Sequence, residues 1–141
     1  MEAHAESVIL DPGHAPGWYN LGMMMMRRGR DDDALRCIMR ALDLDSRNPI
    51  YRTGFGHALA KLGHPAEAAD AYRLALLADP NFAAAYTGLS DLWTKSGHPE
   101  DARSATDAAQ QLRGGATDPS SSLAHAMFQR IEATFPSTTT H

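Results

Sequence analysis

The sequence predicts an all-α protein made of stacked antiparallel helix pairs. A turn that contains glycine recurs every 34 residues, at Gly29, Gly63 and Gly97. Small and apolar residues follow the same period in columns: Leu21, Phe55, Leu89; Ala34, Ala68, Ala102; Ala41, Ala75, Ala109. A repeat of this length indicates a solenoid, in which each unit buries its apolar face only against its neighbours.

Each unit of the repeat is expected to hold two helices. In the second unit Phe55, Leu59 and Leu62 lie on one face of a helix. Gly63 suits a left-handed cap at the end of that helix, and Pro65 suits the first turn of the next. The periodicity predicts helices over about 15–28, 32–45, 49–62, 66–79, 83–96 and 100–113.

One family shares this pattern. The run Trp18-Tyr19-Asn20-Leu21-Gly22, followed by Ala34, Ile38 and Ala41, resembles the tetratricopeptide repeat. The resemblance spans three complete repeats from Ala15 to Ala116 and implies a right-handed α-α superhelix. The tryptophan is not repeated, because Arg52 and Tyr86 stand in its column, and only Pro80 fills the closing proline place.

The repeat divides the chain into six parts. Residues 1–14 match the end of a second helix that lacks its first, and 117–135 are expected to form a capping helix behind the polar Gly114-Gly115 joint. Residues 136–141 are expected to be a disordered tail. Between these ends lie repeat 1 (15–48), repeat 2 (49–82) and repeat 3 (83–116).

Composition narrows the class of function. The 141 residues carry a net charge of −4, with a pI near 5.9, which disfavours a nucleic-acid surface. Cys37 stands alone, so no internal disulfide is expected, which fits a reducing compartment. The sequence has no apolar run long enough for a membrane span, and its N-terminus lacks the basic residues of a secretory signal. These features predict a cytoplasmic protein with neither nucleic-acid nor membrane partners.

No pattern in the chain points to catalysis, a metal or another cofactor. His64 and His98 recur at the same turn, but turns of successive repeats lie roughly a helix diameter apart, about 10 Å, too far to share a metal. Asp31-Asp32-Asp33 is interpreted as negative charge at a helix start, which the helix dipole favours. Cys37 is interpreted as a small buried residue.

The first helices of the pairs carry the candidate binding residues. In the family these helices line the concave face, so the resemblance implies a partner-binding groove. Met23 and Met26 are expected to offer adaptable apolar contacts, while Arg27, Lys61 and Lys95 form a basic row that suits an acidic peptide. Ordinary packing of the methionines and plain solvation of the basic row are the alternatives. The groove residues are Tyr19, Asn20, Met23, Met26, Arg27, Thr53, His57, Lys61, Thr87, Asp91 and Lys95.

One subtype of the family is excluded on its own residues. Family members that bind chaperone tails hold a C-terminal carboxylate with lysine, asparagine and arginine. The corresponding places here are Tyr19, Met23, Gly54, Ala84 and Gly88, none of which is charged. Asn20 resembles an asparagine that binds peptide backbones in some members, but glycine follows it in the next two repeats.

The predicted function is a non-catalytic protein-protein interaction module that binds a peptide or partner segment. One alternative is the repeat region of a larger enzyme, such as a glycosyltransferase. Another is a scaffold joined head-to-tail, in which Leu123, Met127, Phe128 and Ile131 would meet Val8 and Leu10 of the next copy. Against this, 120–135 could be an ordinary cap with His125, Gln129 and Glu132 facing water.

Overall fold

The computed structural model describes residues 13–115 and 122–135, and every regular element in these ranges is a helix. Most of the predicted partial unit (1–14), the start of the predicted capping segment (117–121) and the tail (136–141) lie outside them. None of the helices in the described part has the length and apolar character needed to cross a membrane. The seven helices are α1 (Ala15–Arg27), α2 (Asp31–Leu44), α3 (Pro49–Lys61), α4 (Pro65–Ala78), α5 (Ala83–Lys95), α6 (Pro99–Arg113) and α7 (Ser122–Thr134).

The helix ends follow from local chemistry. After α3, Gly63 adopts φ 84°, and the N–H groups of His64 and Gly63 bond the carbonyls of Leu59 and Ala60 at 2.9 and 3.1 Å. These two hydrogen bonds form a Schellman turn, in which glycine takes the left-handed position without strain. Gly29 and Gly97 close α1 and α5 in the same way. Proline opens α3, α4 and α6, where its missing N–H costs no hydrogen bond.

The helices pair and stack in chain order. α1 packs on α2, α3 on α4, and α5 on α6, and each pair rests on the next. The first helices α1, α3 and α5 approach one another. In contrast, no Cα atom of α2 lies within 8 Å of one in α4, and the same holds between α4 and α6. The stack therefore curves, with the first helices on its inner face and the second helices spread on its outer face.

Buried aromatic and aliphatic side chains join repeats 2 and 3 into one core. Trp93, Tyr72, Tyr86, Leu76 and Leu89 are each at most 1% exposed. Ala68 and Ala75, in the small-residue columns, are fully buried. A smaller cluster of Met26, Ala34, Ile38 and Ala58 joins repeat 1 to repeat 2. Burial of the alanine columns confirms that the 34-residue period describes the packing of the helix pairs.

The last helix departs from the register that the sequence suggests. Leu123, Ala124 and Met127 stand in the sequence columns of a fourth first helix, which would pack on α5 and α6. In the structure α7 instead packs its backbone against α4 and α6, on the outer face. Met127 and Ile131 are 2% and 4% exposed, so they already have partners within this chain. His125, Gln129 and Glu132 are exposed, as the cap interpretation requires.

Candidate functional site

The inner face has a small cavity where repeats 1, 2 and 3 meet. Its volume is about 180 Å³, and α1, α3, α4 and α5 all contribute to its walls. The lining residues are Met26, His57, Ala60, Lys61, Tyr72, Gly88, Asp91, Leu92 and Lys95. Five of the eleven predicted groove residues therefore converge here: Met26, His57, Lys61, Asp91 and Lys95.

A hydrogen-bonded pair forms the floor of this cavity. The Tyr72 hydroxyl and His57 Nδ1 lie 2.8 Å apart, and the two rings meet edge-on with centroids 5.5 Å apart. Burial lowers the pKa of His57; Asp91 opposes this effect, while Lys61 and Lys95 add to it. Burial also raises the pKa of the Tyr72 hydroxyl well above its usual range. At neutral pH the floor is therefore an uncharged hydrogen-bonded pair beneath a charged rim.

Tyr72 reaches the inner face because glycine makes room for it. It belongs to the second helix α4, so it was not among the predicted groove residues. A Cβ added at Gly56 would lie 2.6 Å from the Tyr72 ring, and one added at Gly88 would lie 2.5 Å from it. Glycines on successive first helices, facing a tyrosine on the intervening second helix, are the sequence signal that would have identified this residue.

Charged side chains occupy the rim. The side chains of Lys61, Lys95 and Asp91 line the cavity and are exposed to solvent. Arg27, one repeat before Lys61, is also exposed. Thr87 is half-buried, and its Oγ1 accepts a hydrogen bond of 3.0 Å from Arg113, which brings a further cation towards this face. The inner face therefore carries more positive than negative groups, although the whole chain is acidic.

The remaining candidates lie apart from the cavity. Tyr19 packs over Gly54, where a Cβ would lie 2.7 Å from its ring, and stacks on Tyr51 with centroids 5.1 Å apart. Burial raises the pKa of Tyr19. Asn20 is exposed, and Met23 is half-buried against the cluster around Ala34.

Two predicted groove residues are mainly core. Thr53 is 4% exposed, because its face of α3 is turned into the stack, so it offers no surface to a partner. Met26 is 7% exposed and packs with Ile38 and Ala58, so it only edges the cavity. The prediction that Thr53 faces an open groove is therefore wrong, whereas Met26 lines the cavity at its edge. Because an α-helix has 3.6 residues per turn, some repeat positions lie on the border between the groove face and the core face of a first helix. The sequence alone does not show on which side of that border a residue falls.

Comparison with known proteins agrees with the geometry. Sequence profiles of the tetratricopeptide repeat match residues 15–48 and 53–119. The chain belongs to the tetratricopeptide repeat family. It is 32% identical over 101 residues to the TPR repeat-containing thioredoxin TTL4 of Arabidopsis thaliana. That match covers 72% of this chain but only 15% of the relative's length.

Solved structures share the repeat fold. The crystal structure of MamA superposes with a TM-score of 0.68 at 20% identity, covering 94% of this chain and 75% of that one. The first TPR of Spaghetti (RPAP3), bound to the HSP90 peptide SRMEEVD, gives a TM-score of 0.66 at 21% identity, covering 87% and 96%. These likenesses establish the all-α tetratricopeptide solenoid.

Proposed function

We propose that the chain is a non-catalytic interaction module whose inner face binds an acidic peptide segment. The observation that carries the proposal is the cavity where repeats 1, 2 and 3 meet, in which Lys61 and Lys95 stand above the His57–Tyr72 pair. The ammonium groups of Lys61 and Lys95 attract carboxylates, while the uncharged His57–Tyr72 pair suits contact with polar groups of the peptide backbone.

The kind of peptide follows from what the groove lacks. The tetratricopeptide domains of RPAP3 hold the acidic HSP90 peptide SRMEEVD, which supports an acidic ligand for this fold. The places used by chaperone-tail binders are occupied here by uncharged residues such as Gly54 and Gly88. We therefore expect this chain to bind an internal acidic segment and to have no requirement for a free C-terminal carboxylate.

A peptide-display selection on the folded chain tests the proposal. We expect enrichment of peptides with several Asp or Glu residues, with affinities that fall as salt rises because exposed charges are screened. Replacing Lys61 and Lys95 together by Glu should abolish this enrichment.

A matched double variant controls for net charge. Arg36 and Arg103 are exposed on second helices, and replacing both by Glu changes the net charge by the same amount. We expect this pair on the second helices to leave the selection unchanged. Equal loss in both double variants, or no preference for acidic peptides, would contradict the proposal.

A further inference from the structure

The outer face of the stack has grooves between successive second helices. The backbones of α2, α4 and α6 stay apart, because the stack opens towards this side. Helix α7 packs against both α4 and α6, so it fills the groove between them. The outer groove of repeat 3 is therefore occupied by a helix of the same chain.

The contacts of α7 show what this groove accepts. Ala124, Met127 and Ile131 recur along one face of α7 and are at most 4% exposed, in the same core cluster as Leu89 and Trp93. These spacings of three and four residues are those of an amphipathic helix.

A polar network fixes the end of α7. Arg130 Nη1 lies 2.5 Å from Asp101 Oδ1, at the start of α6. Thr134 Oγ1 accepts a hydrogen bond of 3.2 Å from the Trp93 indole. The groove of repeat 3 thus combines an apolar floor with one carboxylate that binds a basic side chain of the entering helix.

The groove of repeat 2 shares the floor and the α4 wall of this arrangement but is open. A cavity of about 700 Å³ lies over α3 and α4, with Phe128 of α7 and Phe135, just after α7, on its far side. Phe55 and Leu59 line it, one repeat before Leu89 and Trp93. Glu67 lines it as well, one repeat before Asp101.

Exposure separates the two grooves. The side chain of Asp101, covered by α7, is 22% exposed, whereas that of Glu67 is 69% exposed. On the same walls, Ala108 of α6 is 2% exposed, whereas its counterpart Leu74 of α4 is only half-buried. The floor, the wall and the acid that hold α7 are therefore repeated in repeat 2 with an apolar surface still in contact with solvent.

We propose that the outer groove of repeat 2 binds an amphipathic helix from a partner protein. The helix would place aliphatic residues at the spacing of Ala124, Met127 and Ile131 and one basic residue opposite Glu67. Charge supports a basic occupant. Asp70 pairs with Arg73 at 2.6 Å, and Arg52 donates to the Ser46 carbonyl, while Glu67 and Glu132 stay exposed. This site is independent of the peptide groove proposed for the inner face.

The probe for this site is a dye-labelled peptide with the sequence of residues 122–135, measured by fluorescence anisotropy against the full chain. The chain's own α7 is tethered, and its effective concentration of roughly millimolar protects its groove from the free peptide. We expect saturable binding that Leu74→Glu weakens by at least about tenfold, because a charge then meets the apolar face. Glu67→Lys should weaken binding as well, and a peptide carrying Arg130→Glu should restore binding to that variant.

Control variants separate the outer groove from the other surfaces. Lys61→Glu, on the inner face, and Asp101→Asn, beneath α7, should leave the affinity for the peptide unchanged. Circular dichroism of each variant checks that the helices remain. Absence of saturable binding, insensitivity to both Glu67→Lys and Leu74→Glu, or loss through Lys61→Glu or Asp101→Asn would overturn the proposal.

Discussion

Helices α4 and α6 hold the same place in successive repeats but face the following repeat with opposite chemistry. We call the residues in these positions the forward face: Ala69, Tyr72 and Leu76 on α4, and Arg103, Thr106 and Gln110 on α6. The forward face of α4 is at most 1% exposed and shares a core with α5. On α6, Arg103 and Gln110 are exposed. The forward face of α4 is thus covered by the next helix pair, whereas that of α6 leaves Arg103 and Gln110 in contact with solvent.

The polar forward face of α6 also explains the position of α7. A helix that packed on the forward face of α6 would bury Arg103 and Gln110, and burying polar groups without partners costs free energy. On the outer face the same helix buries Met127 and Ile131 and pairs Arg130 with Asp101. The polar forward face of α6 therefore stays in contact with solvent, and α7 covers an outer groove instead.

The largest expected effect comes from emptying the apolar forward face. Leu76→Ala should lower the free energy of unfolding by about 2–5 kcal/mol, because it leaves a cavity between two repeats. The matched change Gln110→Ala, one repeat later on an exposed position, should stay within about 0.5 kcal/mol. Urea unfolding followed by circular dichroism measures both. Similar losses in the two variants would show that α6, like α4, is buried by a following element.

A smaller effect is expected from crowding Tyr72 on the same face. The Cβ of a residue at position 88 lies 2.5 Å from the Tyr72 ring, which Gly56 confines from the other side. Gly88→Val should therefore cost about 1–3 kcal/mol through overpacking. Ala84→Val, exposed on the same helix, should cost no more than the difference in helix propensity, roughly 0.7 kcal/mol. A Gly88→Val chain as stable as the Ala84→Val chain would contradict the packing of Tyr72 between two glycines.

Removing a hydrogen bond from the forward face should lower the free energy of unfolding less than emptying or crowding its packed core. Tyr72→Phe removes the bond to the half-buried His57 and should cost about 1 kcal/mol. Thr106 bonds Ser90, which lies nearer the end of the stack. Thr106→Val should cost less than about 0.5 kcal/mol, because water can replace the lost partner of Ser90. The reverse order in thermal unfolding would mean that repeat 3 is the more tightly ordered end.

Sequence predicted the helices well because their ends depend on local residues. Each predicted boundary lies within two residues of the observed one, and Gly63 and Pro65 have the cap and first-turn roles expected of them. The tetratricopeptide fold is confirmed by the sequence profiles and by the solved structures that superpose on it.

Placement between elements was harder to predict. The repeat columns of Leu123 and Met127 predict that α7 packs on the forward face of α6. Arg103 and Gln110 make that face polar, so α7 packs elsewhere. The inner cavity depends on Tyr72 crossing from a second helix, which requires glycine on two other helices at once. The position of α7 and the inner cavity both depend on residues that are distant in sequence, so the periodicity of a single helix does not predict them.

The smallest effect is a pH dependence that arises from His57 in repeat 2. The pKa of His57 in the folded chain is lowered by burial, so it lies below the unfolded value of about 6.5. Between these two pKa values the unfolded chain binds a proton that the native chain does not. The free energy of unfolding therefore rises with pH across this window and levels off above it. In repeat 3 the partner of Thr106 is Ser90, which does not titrate, so the matching pair adds no such slope.

Urea unfolding between about pH 5 and pH 8, the range that brackets the unfolded histidine pKa, measures this contribution. We expect His57→Gln, which keeps an acceptor for Tyr72, to lose part of the rise in stability that the native chain shows. Lys61→Gln should reduce the same rise by a smaller amount, because Lys61 contributes less than burial to the lowered pKa. An identical slope in the native chain and in His57→Gln would mean that His57 is as accessible to protons in the folded chain as in the unfolded one. The inner cavity would then be open to water at its floor, and the uncharged pair beneath Lys61 and Lys95 would not exist.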